Sequence, residues 1–311
     1  MTKIAFIYPG QGSQTVGMGA SFLTDERSKG FFDIADEVLG IQLSKLMLEG
    51  PAEELTLTYN AQPALLTVSS MITERLARAG IVPSYTAGHS LGEYSALEAS
   101  GVMKFETAVD IVHKRGLFMN EAVPAGEGTM AAILGMASEE LQKVTNEVTD
   151  TTGVVQLANL NSPGQIVISG TKAGVEEACR LAKENGAKRA IPLDVSGPFH
   201  SELMRPASQD LAEVLSKAFL LDAHVPVIAN VTAEPETNAA QIQDLLVRQL
   251  YSPVLWEQSV QKMIELGVTV FIEIGPGKVL SGLVKKIDRS VTVLPVNDLE
   301  SLEKAIEELK K

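Results

Sequence analysis

The stretch Gly88-His89-Ser90-Leu91-Gly92 decides the fold of this chain. An apolar run over residues 82–87 precedes it, and a helical pattern over residues 91–100 follows it. A strand, a G-x-S-x-G turn and a helix in this order are typical of a nucleophile elbow. The glycines permit a sharp turn, so the Ser90 hydroxyl is predicted to project beside backbone N–H groups at a helix N-terminus. This arrangement predicts acyl transfer through a serine ester.

Composition and charge disfavour several other classes of protein. The 311 residues suffice for one large domain or two ordinary ones, and 45% hydrophobic with 21% charged residues is typical of a globular protein. The net charge of −13 disfavours binding to nucleic acid. No apolar run has the length of a membrane span, and Pro9-Gly10 interrupts the start too soon for a signal peptide. We therefore expect no membrane partner and a location in the cytoplasm.

The single cysteine, Cys179, excludes an internal disulfide and a multi-cysteine metal site. It falls in a helical pattern over residues 173–185 and shares a helix face with Val175 and Ala182. Cys179 is therefore expected to be a core residue.

The order of the predicted elements indicates an α/β protein with an insertion. Residues 129–193 have the order βαββαβ, which is typical of a ferredoxin-like domain. Strands and helices alternate on both sides of it, which predicts a mainly parallel sheet covered by helices. The predicted domains are a discontinuous large domain over residues 1–124 and 197–311 and an inserted domain over residues 125–196. In the last third, residues 202–219 are expected to form a helix and residues 225–230 a strand.

The loop after the first strand carries Gly10-Gln11-Gly12-Ser13-Gln14. It is not a phosphate-binding loop, because the Lys-Ser or Lys-Thr pair is missing. Catalytic loops gather at the carboxyl ends of parallel strands. This loop can therefore aim a backbone N–H into the same site as Ser90.

The chain has four histidines, so the base for Ser90 can be sought by elimination. His113 falls on the polar face of its predicted helix and is expected to be solvated. His89 adjoins Ser90 and is better placed to brace the turn, and a loop role is expected for His224. His200 lies where the insertion rejoins the large domain, at the edge of the expected cleft. We therefore favour His200 as the general base.

The group that orients His200 stays open at this point. In α/β-hydrolases an Asp or Glu stands between the serine and the histidine in chain order, and Asp194 is a candidate. A strand-end carboxylate in water explains Asp194 equally well, and a neutral carbonyl is another possible acceptor.

Arg115 has an unusual position on the helix predicted over residues 105–122. The apolar stripe of this helix consists of Phe105, Ala108, Val112 and Met119. Arg115 falls in the middle of that stripe, and a buried guanidinium needs an anionic partner. That partner is either an internal carboxylate or the carboxylate of a substrate, gripped in bidentate fashion. Beside Ser90, the second alternative suggests an acyl group with its own carboxylate.

Six motifs occur in order along the chain. They are Pro9-Gly10-Gln11-Gly12-Ser13-Gln14, Gly88-His89-Ser90-Leu91-Gly92-Glu93-Tyr94, Arg115-Gly116, Asn161-Ser162-Pro163-Gly164-Gln165, Gly197-Pro198-Phe199-His200-Ser201 and Gly275-Pro276-Gly277-Lys278-Val279-Leu280. Together they resemble the malonyl-CoA:acyl carrier protein transacylases of bacterial type II fatty acid synthesis. The resemblance implies an α/β-hydrolase-like large domain with the ferredoxin-like insertion.

The resemblance also implies the reaction. Ser90 would carry the malonyl group taken from malonyl-CoA, His200 would be the base, and Arg115 would bind the malonyl carboxylate. The thiol of holo acyl carrier protein would accept the malonyl group. CoA and phosphopantetheine would enter only as parts of the substrates, so no separate cofactor and no metal is expected.

Five further residues take roles from the resemblance alone. The backbone N–H groups of Gln11 and Leu91 would form an oxyanion hole. The carbonyl of Gln249 would orient the histidine, in place of a carboxylate. Asn159 and Asn161 would lie near the acyl pocket.

The net charge poses a difficulty for the expected partners, because CoA and carrier proteins are themselves acidic. A local basic patch would be needed for docking, and Lys285, Lys286 and Arg289 are the candidates. A solvated helix face explains these residues equally well. Other functions also stay open: a stand-alone acyltransferase for a polyketide synthase, a serine thioesterase, and a noncatalytic scaffold that binds the carrier protein.

Overall fold

The computed structural model describes residues 2–310, so that Met1 and Lys311 of the predicted large domain lie outside the described residues. The strands are β1 (Lys3–Tyr8), β2 (Tyr85–Gly88), β3 (Gly128–Leu134), β4 (Val155–Ser162), β5 (Gln165–Thr171), β6 (Arg189–Pro192), β7 (Val227–Ile228), β8 (Pro235–Glu236), β9 (Val268–Ile274) and β10 (Thr292–Val296). The helices are α1 (Glu26–Leu39), α2 (Leu43–Glu49), α3 (Ala52–Thr56), α4 (Thr58–Arg78), α5 (Leu91–Ala99), α6 (Phe105–Glu121), α7 (Ser138–Thr151), α8 (Lys172–Glu184), α9 (Arg205–Lys217), α10 (Ala239–Gln249), α11 (Trp256–Glu265), α12 (Val279–Ile287) and α13 (Leu299–Leu309).

The larger sheet has the strand order β10-β9-β1-β2-β7-β8. Its first five strands in this order are parallel, and only β8 runs antiparallel to its neighbour β7. The carboxyl ends of β1, β2 and β7 therefore lie side by side at one edge. The loops that follow them carry Gln11, Ser90 and Asn230, which places these three residues where parallel sheets build their binding sites.

The smaller sheet is antiparallel and has the order β4-β5-β3-β6. Helices α7 and α8 cover one of its faces and share an apolar core with it. Backbone hydrogen bonds join its edge strand β4 to Val254, which lies between α10 and α11. The N–H of Val254 donates to the carbonyl of Ala158 at 2.8 Å, and the N–H of Leu160 donates to the carbonyl of Val254 at 2.9 Å.

Strand β1 is buried on both faces because it lies in the middle of the larger sheet. Successive side chains of a strand point to opposite faces. Phe6 and Tyr8 accordingly pack in one core cluster, which contains residues of α4, α5 and α6. Ala5 and Ile7 pack in a second cluster, which contains residues of α11 and α12. Of the helices described here, none is long and apolar enough to cross a membrane.

Two elements differ from the sequence-based expectation. The strand expected over residues 225–230 contains only Val227–Ile228. Pro226 has no N–H for the ladder, and beyond Ile228 the N–H of Ala229 donates to the carbonyl of Glu234 at 3.1 Å. The helix expected over residues 202–219 divides into a short 3-10 turn, Glu202–Met204, and helix α9. A proline in the first turn of α9 suits a helix start, since its φ is fixed near the helical value.

The approach of α5 to β1 depends on Gly92. A Cβ at this position would lie 2.1 Å from the carbonyl oxygen of Tyr8, which is backbone and cannot rotate away. We expect Gly92→Ala to lower the free energy of unfolding by about 3 kcal/mol or more, since overpacking of this kind displaces backbone.

Gly282→Ala is the matched control for the same measurement, urea unfolding. Gly282 is helical and a Cβ there meets nothing within 4 Å, so we expect stabilisation of about 0.5–1 kcal/mol. Equal unfolding midpoints for the two variants would contradict the close approach.

Candidate active site

Ser90 stands at the turn between β2 and α5 in a backbone conformation that side chains rarely adopt. Its φ is 52° and its ψ is −106°. Asn230 holds this turn from the end of the neighbouring strand. Its side-chain oxygen accepts from the Ser90 N–H at 2.8 Å, and its amide nitrogen donates to the carbonyl of Gly88 at 2.6 Å. Such local strain persists only where the surroundings hold it, and it is frequent at active sites.

The Ser90 hydroxyl is paired with His200. Its Oγ lies 2.8 Å from Nε2 of the imidazole, and Nδ1 of the same ring lies 2.8 Å from the carbonyl oxygen of Gln249. A carbonyl can only accept, so Nδ1 carries the proton and Nε2 is free to accept from the serine. His200 is 3% exposed and its φ is also positive, at 58°. The arrangement is a serine–histidine dyad with a neutral orienter.

The surroundings keep His200 uncharged. Burial lowers the pKa of His200 to about 3, and the positive charge of Arg115 contributes in the same direction. The hydrogen bond to the Gln249 carbonyl opposes both effects. An uncharged imidazole beside a hydroxyl is the state that a general base requires.

Arg115 is buried beside the dyad, as the helical pattern predicts, with only 1% of its surface exposed. Its Nη2 donates to the Ser90 hydroxyl at 3.1 Å and to the side-chain oxygen of Gln249 at 2.9 Å. Its Nη1 donates to the side-chain oxygen of Gln62 at 2.7 Å, while its Nε has no partner. Among residues 2–310, no carboxylate forms a salt bridge with Arg115. The guanidinium is thus held by neutral groups and keeps an unused donor.

Ser90 and His200 line a small cavity of about 190 Å³. The other lining residues come from the loop after β1, α3, the turn before α5, α6, strands β3 and β4, and the segment after β6: Gln11, Gly12, Gln14, Thr56, His89, Met119, Met130, Asn159, Leu193, Asp194, Val195 and Phe199. The volume suits a group of a few heavy atoms rather than a long chain.

The residues expected around the acyl pocket are placed at different depths. Gln11 and Asn159 line the cavity, and the Gln11 amide donates to Thr58 Oγ1 at 3.2 Å. Asn161 does not line the cavity, but its side-chain oxygen lies 2.7 Å from Nε2 of His89, which does. Leu91 is the first residue of α5, so its N–H has no acceptor within the helix.

The remaining histidines have structural positions. His89 lies between Asn161 and the ring of Trp256, 5.7 Å away, which suits a residue that braces the turn. His224 lies in a loop, exposed. The expectation of a solvated His113 is wrong: the residue is half-buried, and its Nδ1 donates to the carbonyl of Tyr59 at 2.7 Å, because α6 packs closely on α4 there.

One other expectation is wrong, and the alternatives left open for Asp194 are decided. Cys179 is half-buried rather than a core residue, because the buried stripe of α8 runs through Val175, Ala178 and Ala182 and leaves Cys179 at its border. Asp194 is exposed, and the acceptor beside Nδ1 of His200 is a carbonyl of another element.

Three residues of the site have no role in the sequence-based interpretation. Asn230 supports the turn, Gln62 holds Arg115, and Glu93 accepts from the Gln249 amide at 2.7 Å. A polar residue close to the carboxyl end of a strand of the parallel sheet is a usable signal for Asn230, which lies two residues after β7. Gln62 shows no such signal, because its contact depends on how α4 packs against α6.

Comparison with known proteins agrees with this geometry. A model of the acyl transferase domain matches residues 5–309. The chain is 62% identical to a malonyl CoA-acyl carrier protein transacylase of Bacillus subtilis over 100% of this chain and 98% of that protein. It is 47% identical to the protein of that name from Escherichia coli over 99% of this chain and 100% of the other.

The chain belongs to the malonyl CoA-acyl carrier protein transacylase family. Solved structures agree with the assignment. An acyl carrier protein S-malonyltransferase from Vibrio cholerae superposes with a TM-score of 0.95 at 46% identity, covering 98% of this chain and 100% of that one. The α/β fold with its sheets and helices is therefore the fold of this family.

The protonation state of His200 has a consequence for the reactivity of Ser90. Because the pKa of His200 is lowered to about 3, we expect the rate of Ser90 modification by a sulfonyl fluoride to show no histidine inflection between about pH 5 and pH 8. The measurement is the rate of mass increase at each pH, with Ser90→Ala as the unreactive control. An inflection near the ordinary histidine value of 6.5 that persists in Glu93→Gln would contradict the effect of burial, since that variant removes the buried carboxyl whose pKa is raised to about 7.

Proposed function

We propose that this protein transfers the malonyl group of malonyl-CoA to the phosphopantetheine thiol of acyl carrier protein through an ester on Ser90. The observation that carries the proposal is the buried guanidinium of Arg115, which lies 3.1 Å from the nucleophile and has no carboxylate partner in the described chain. An acyl group that brings its own carboxylate completes this site. The family assignment and the names of the relatives support the same reaction.

In the first half-reaction, Ser90 attacks the thioester carbonyl while Nε2 of His200 takes its proton. The developing oxyanion would be held by the backbone N–H groups of Gln11 and Leu91, each contributing about 3 kcal/mol. CoA then leaves as the thiol, taking the proton from His200. The carbonyl of Gln249 keeps the ring oriented while it carries charge.

In the second half-reaction, the carrier thiol gives its proton to His200 and attacks the malonyl ester. Collapse of the second tetrahedral intermediate releases malonyl thioester and returns the proton to Ser90. Two half-reactions through one covalent intermediate give ping-pong kinetics. CoA and phosphopantetheine take part only as portions of the substrates, and we propose no separate cofactor.

The finer architecture is also a proposal. The order βαββαβ with the sheet order β4-β5-β3-β6 supports a ferredoxin-like domain inserted at about residues 125–196. The parallel sheet with Ser90 after one of its strands supports an α/β-hydrolase-like description of the rest. The cytoplasmic location stays a prediction, which cell fractionation with an antibody against the protein tests.

Arg115→Ala tests the proposed function most simply. We expect kcat/KM for malonyl-CoA to fall at least about thirty-fold, because removal of one partner of a buried charge pair costs about 2 kcal/mol or more. Acetyl transfer should be kept or improved. The measurement is the mass of the acyl-enzyme after brief exposure to each thioester. The control is Arg180→Ala, because the Arg180 side chain on α8 is exposed. Equal losses for malonyl and acetyl would contradict the role of Arg115.

The same mass measurement separates the rival functions. Loss of the malonyl adduct on addition of holo carrier protein is expected from a transacylase. Loss in buffer at a similar rate indicates a thioesterase, and the absence of any adduct indicates a noncatalytic scaffold.

The carrier protein is proposed to dock near Lys285, Lys286 and Arg289. All three are exposed, and Lys286 reaches Gln165 of the smaller sheet at 2.8 Å, so the patch spans α12 and that sheet. The amine of Lys285 turns back onto the carbonyl of Val291 at 2.5 Å, which leaves Lys286 and Arg289 as the more available charges.

Charge reversal tests this docking surface. We expect the double variant Lys286→Glu, Arg289→Glu to raise KM for the carrier protein about ten-fold. This increase in KM should become larger as the salt concentration is lowered, because salt screens the charges. KM for malonyl-CoA should stay within about two-fold. Lys217→Glu on α9 is the matched control. An unchanged KM for the carrier would contradict the patch.

The pathway that the carrier serves is a separate question. One similar structure is described as a type II PKS acyl-carrier protein in complex with its malonyl-transacylase, with a TM-score of 0.96 at 44% identity over 99% of this chain and 100% of that one. This neighbour favours a polyketide carrier as the second candidate acceptor. Relative kcat/KM for fatty acid and polyketide carriers distinguishes the two.

A further inference from the structure

Glu93 is a buried carboxyl that the transfer mechanism does not use. It lies in the first turn of α5, three residues after the nucleophile, and is 3% exposed. Its Oε2 accepts from the Gln249 side-chain nitrogen at 2.7 Å and from the Asn230 N–H at 3.3 Å. A carboxyl in such a place is costly unless its charge is balanced.

The side chain of Gln249 connects this carboxyl to Arg115. Its nitrogen faces Glu93 and also lies 3.0 Å from the Ser90 carbonyl, while its oxygen accepts from Arg115 Nη2 at 2.9 Å. The amide is therefore oriented, with its donor end toward the acid and its acceptor end toward the guanidinium. Through it, Glu93 is the counter-charge of Arg115 before acylation.

The charged surroundings of Glu93 are few. Helix α5 packs against β1, β2, β7, α4 and α6. Of the charged and titratable groups on these elements and on α5 itself, Arg115 from α6 and the Tyr94 phenol of α5 interact with Glu93. His200 pairs with the Ser90 hydroxyl at 2.8 Å and forms no hydrogen bond with Glu93. Burial raises the pKa of Glu93 to about 7, and the Gln249 and Asn230 hydrogen bonds and Arg115 oppose that rise.

The arrival of malonyl changes this balance. Before acylation, the charges of the Arg115 guanidinium and the ionised Glu93 carboxylate sum to zero. A malonyl carboxylate on Arg115 adds a second negative charge to a region where both Arg115 and Glu93 are buried. Two carboxylates that share one cation cannot both stay ionised without a large cost.

We propose that Glu93 is a positioning residue that takes up one proton when the malonyl carboxylate joins Arg115, so that malonyl binding is linked to proton uptake and acetyl binding is not. This inference rests on the proposed function, because it needs a malonyl ester on Ser90. The transfer of the malonyl group to Ser90 neither takes up nor releases a proton, because the proton of the Ser90 hydroxyl leaves on the thiol of CoA. The proton that Glu93 gains comes from the buffer.

The linkage has a definite sign. Below its pKa Glu93 is already protonated, so malonyl occupancy is independent of pH. Above its pKa the carboxyl must be protonated before malonyl is held, so malonyl occupancy falls by up to about ten-fold per pH unit. An acetyl ester brings no charge and serves as the reference. The ratio of the two occupancies cancels the ionisation of the CoA thiol and of His200.

The experiment measures the equilibrium occupancy of Ser90 by intact mass, with malonyl-CoA or acetyl-CoA in fixed ratio to CoA. For the unaltered protein we expect the malonyl-to-acetyl ratio to be flat at low pH and to fall at least about five-fold from about pH 6.5 to 8.5. For Glu93→Gln, which keeps the side-chain shape, we expect a flat ratio. Glu98→Gln is the matched control, because Glu98 is a neighbouring carboxyl on α5 that accepts from Ser70 at 3.0 Å, outside the site. In this variant the malonyl-to-acetyl ratio should still fall with rising pH.

A flat ratio in the unaltered protein, or an equal fall in Glu93→Gln, overturns the proposal. So does loss of the pH dependence in Glu98→Gln. If Glu93→Gln does not fold, the unaltered protein supplies the test: an indicator dye in weak buffer near pH 7.5 should report proton uptake with malonyl-CoA and none with acetyl-CoA. Equal uptake with both contradicts the linkage. The absence of any malonyl adduct would instead contradict the proposed function.

Discussion

The burial of one positive charge beside the nucleophile is the constraint on which the rest of this site depends. The Arg115 guanidinium is 1% exposed and is held by the neutral oxygens of Gln62, Gln249 and Ser90. These contacts leave the guanidinium without a carboxylate in direct contact, and Glu93 reaches it only through the Gln249 amide. The same charge adds to the effect of burial in keeping His200 unprotonated, so Arg115 influences both the acyl specificity and the protonation state of the base.

The parallel sheet explains how these groups meet. The carboxyl ends of β1, β2 and β7 lie side by side. The short segments that follow these strands carry Gln11, Ser90 and Asn230, so the three residues meet without long connecting loops. The base comes from elsewhere, and its position depends on contacts with other elements. The amide of Gln156 in β4 donates to the carbonyl of His200, and α10 supplies the Gln249 carbonyl. The two sheets thus hold opposite members of the dyad.

The local features of this site were readable from the sequence, and the long-range ones were not. The elbow at Ser90 and the buried position of Arg115 follow from motif spacing and helical periodicity, which are properties of one segment. His200 was predicted by elimination among the four histidines. The role of the Gln249 carbonyl was predicted only from the family resemblance, because every residue has a backbone carbonyl and the sequence pattern does not show which one acts as an acceptor. Glu93 stands in the elbow motif, yet its meaning depends on Gln249, which is 156 residues away along the chain.

A crystal structure of the acyl-enzyme, trapped after exposure to malonyl-CoA, tests the role of Arg115 most directly. We expect an ester on Ser90 Oγ, with the malonyl carboxylate on the Arg115 guanidinium in place of the Ser90 hydroxyl contact of 3.1 Å. The ester carbonyl should point toward the backbone N–H groups of Gln11 and Leu91. A malonyl carboxylate that leaves Arg115 on its present neutral partners and extends toward solvent would contradict it.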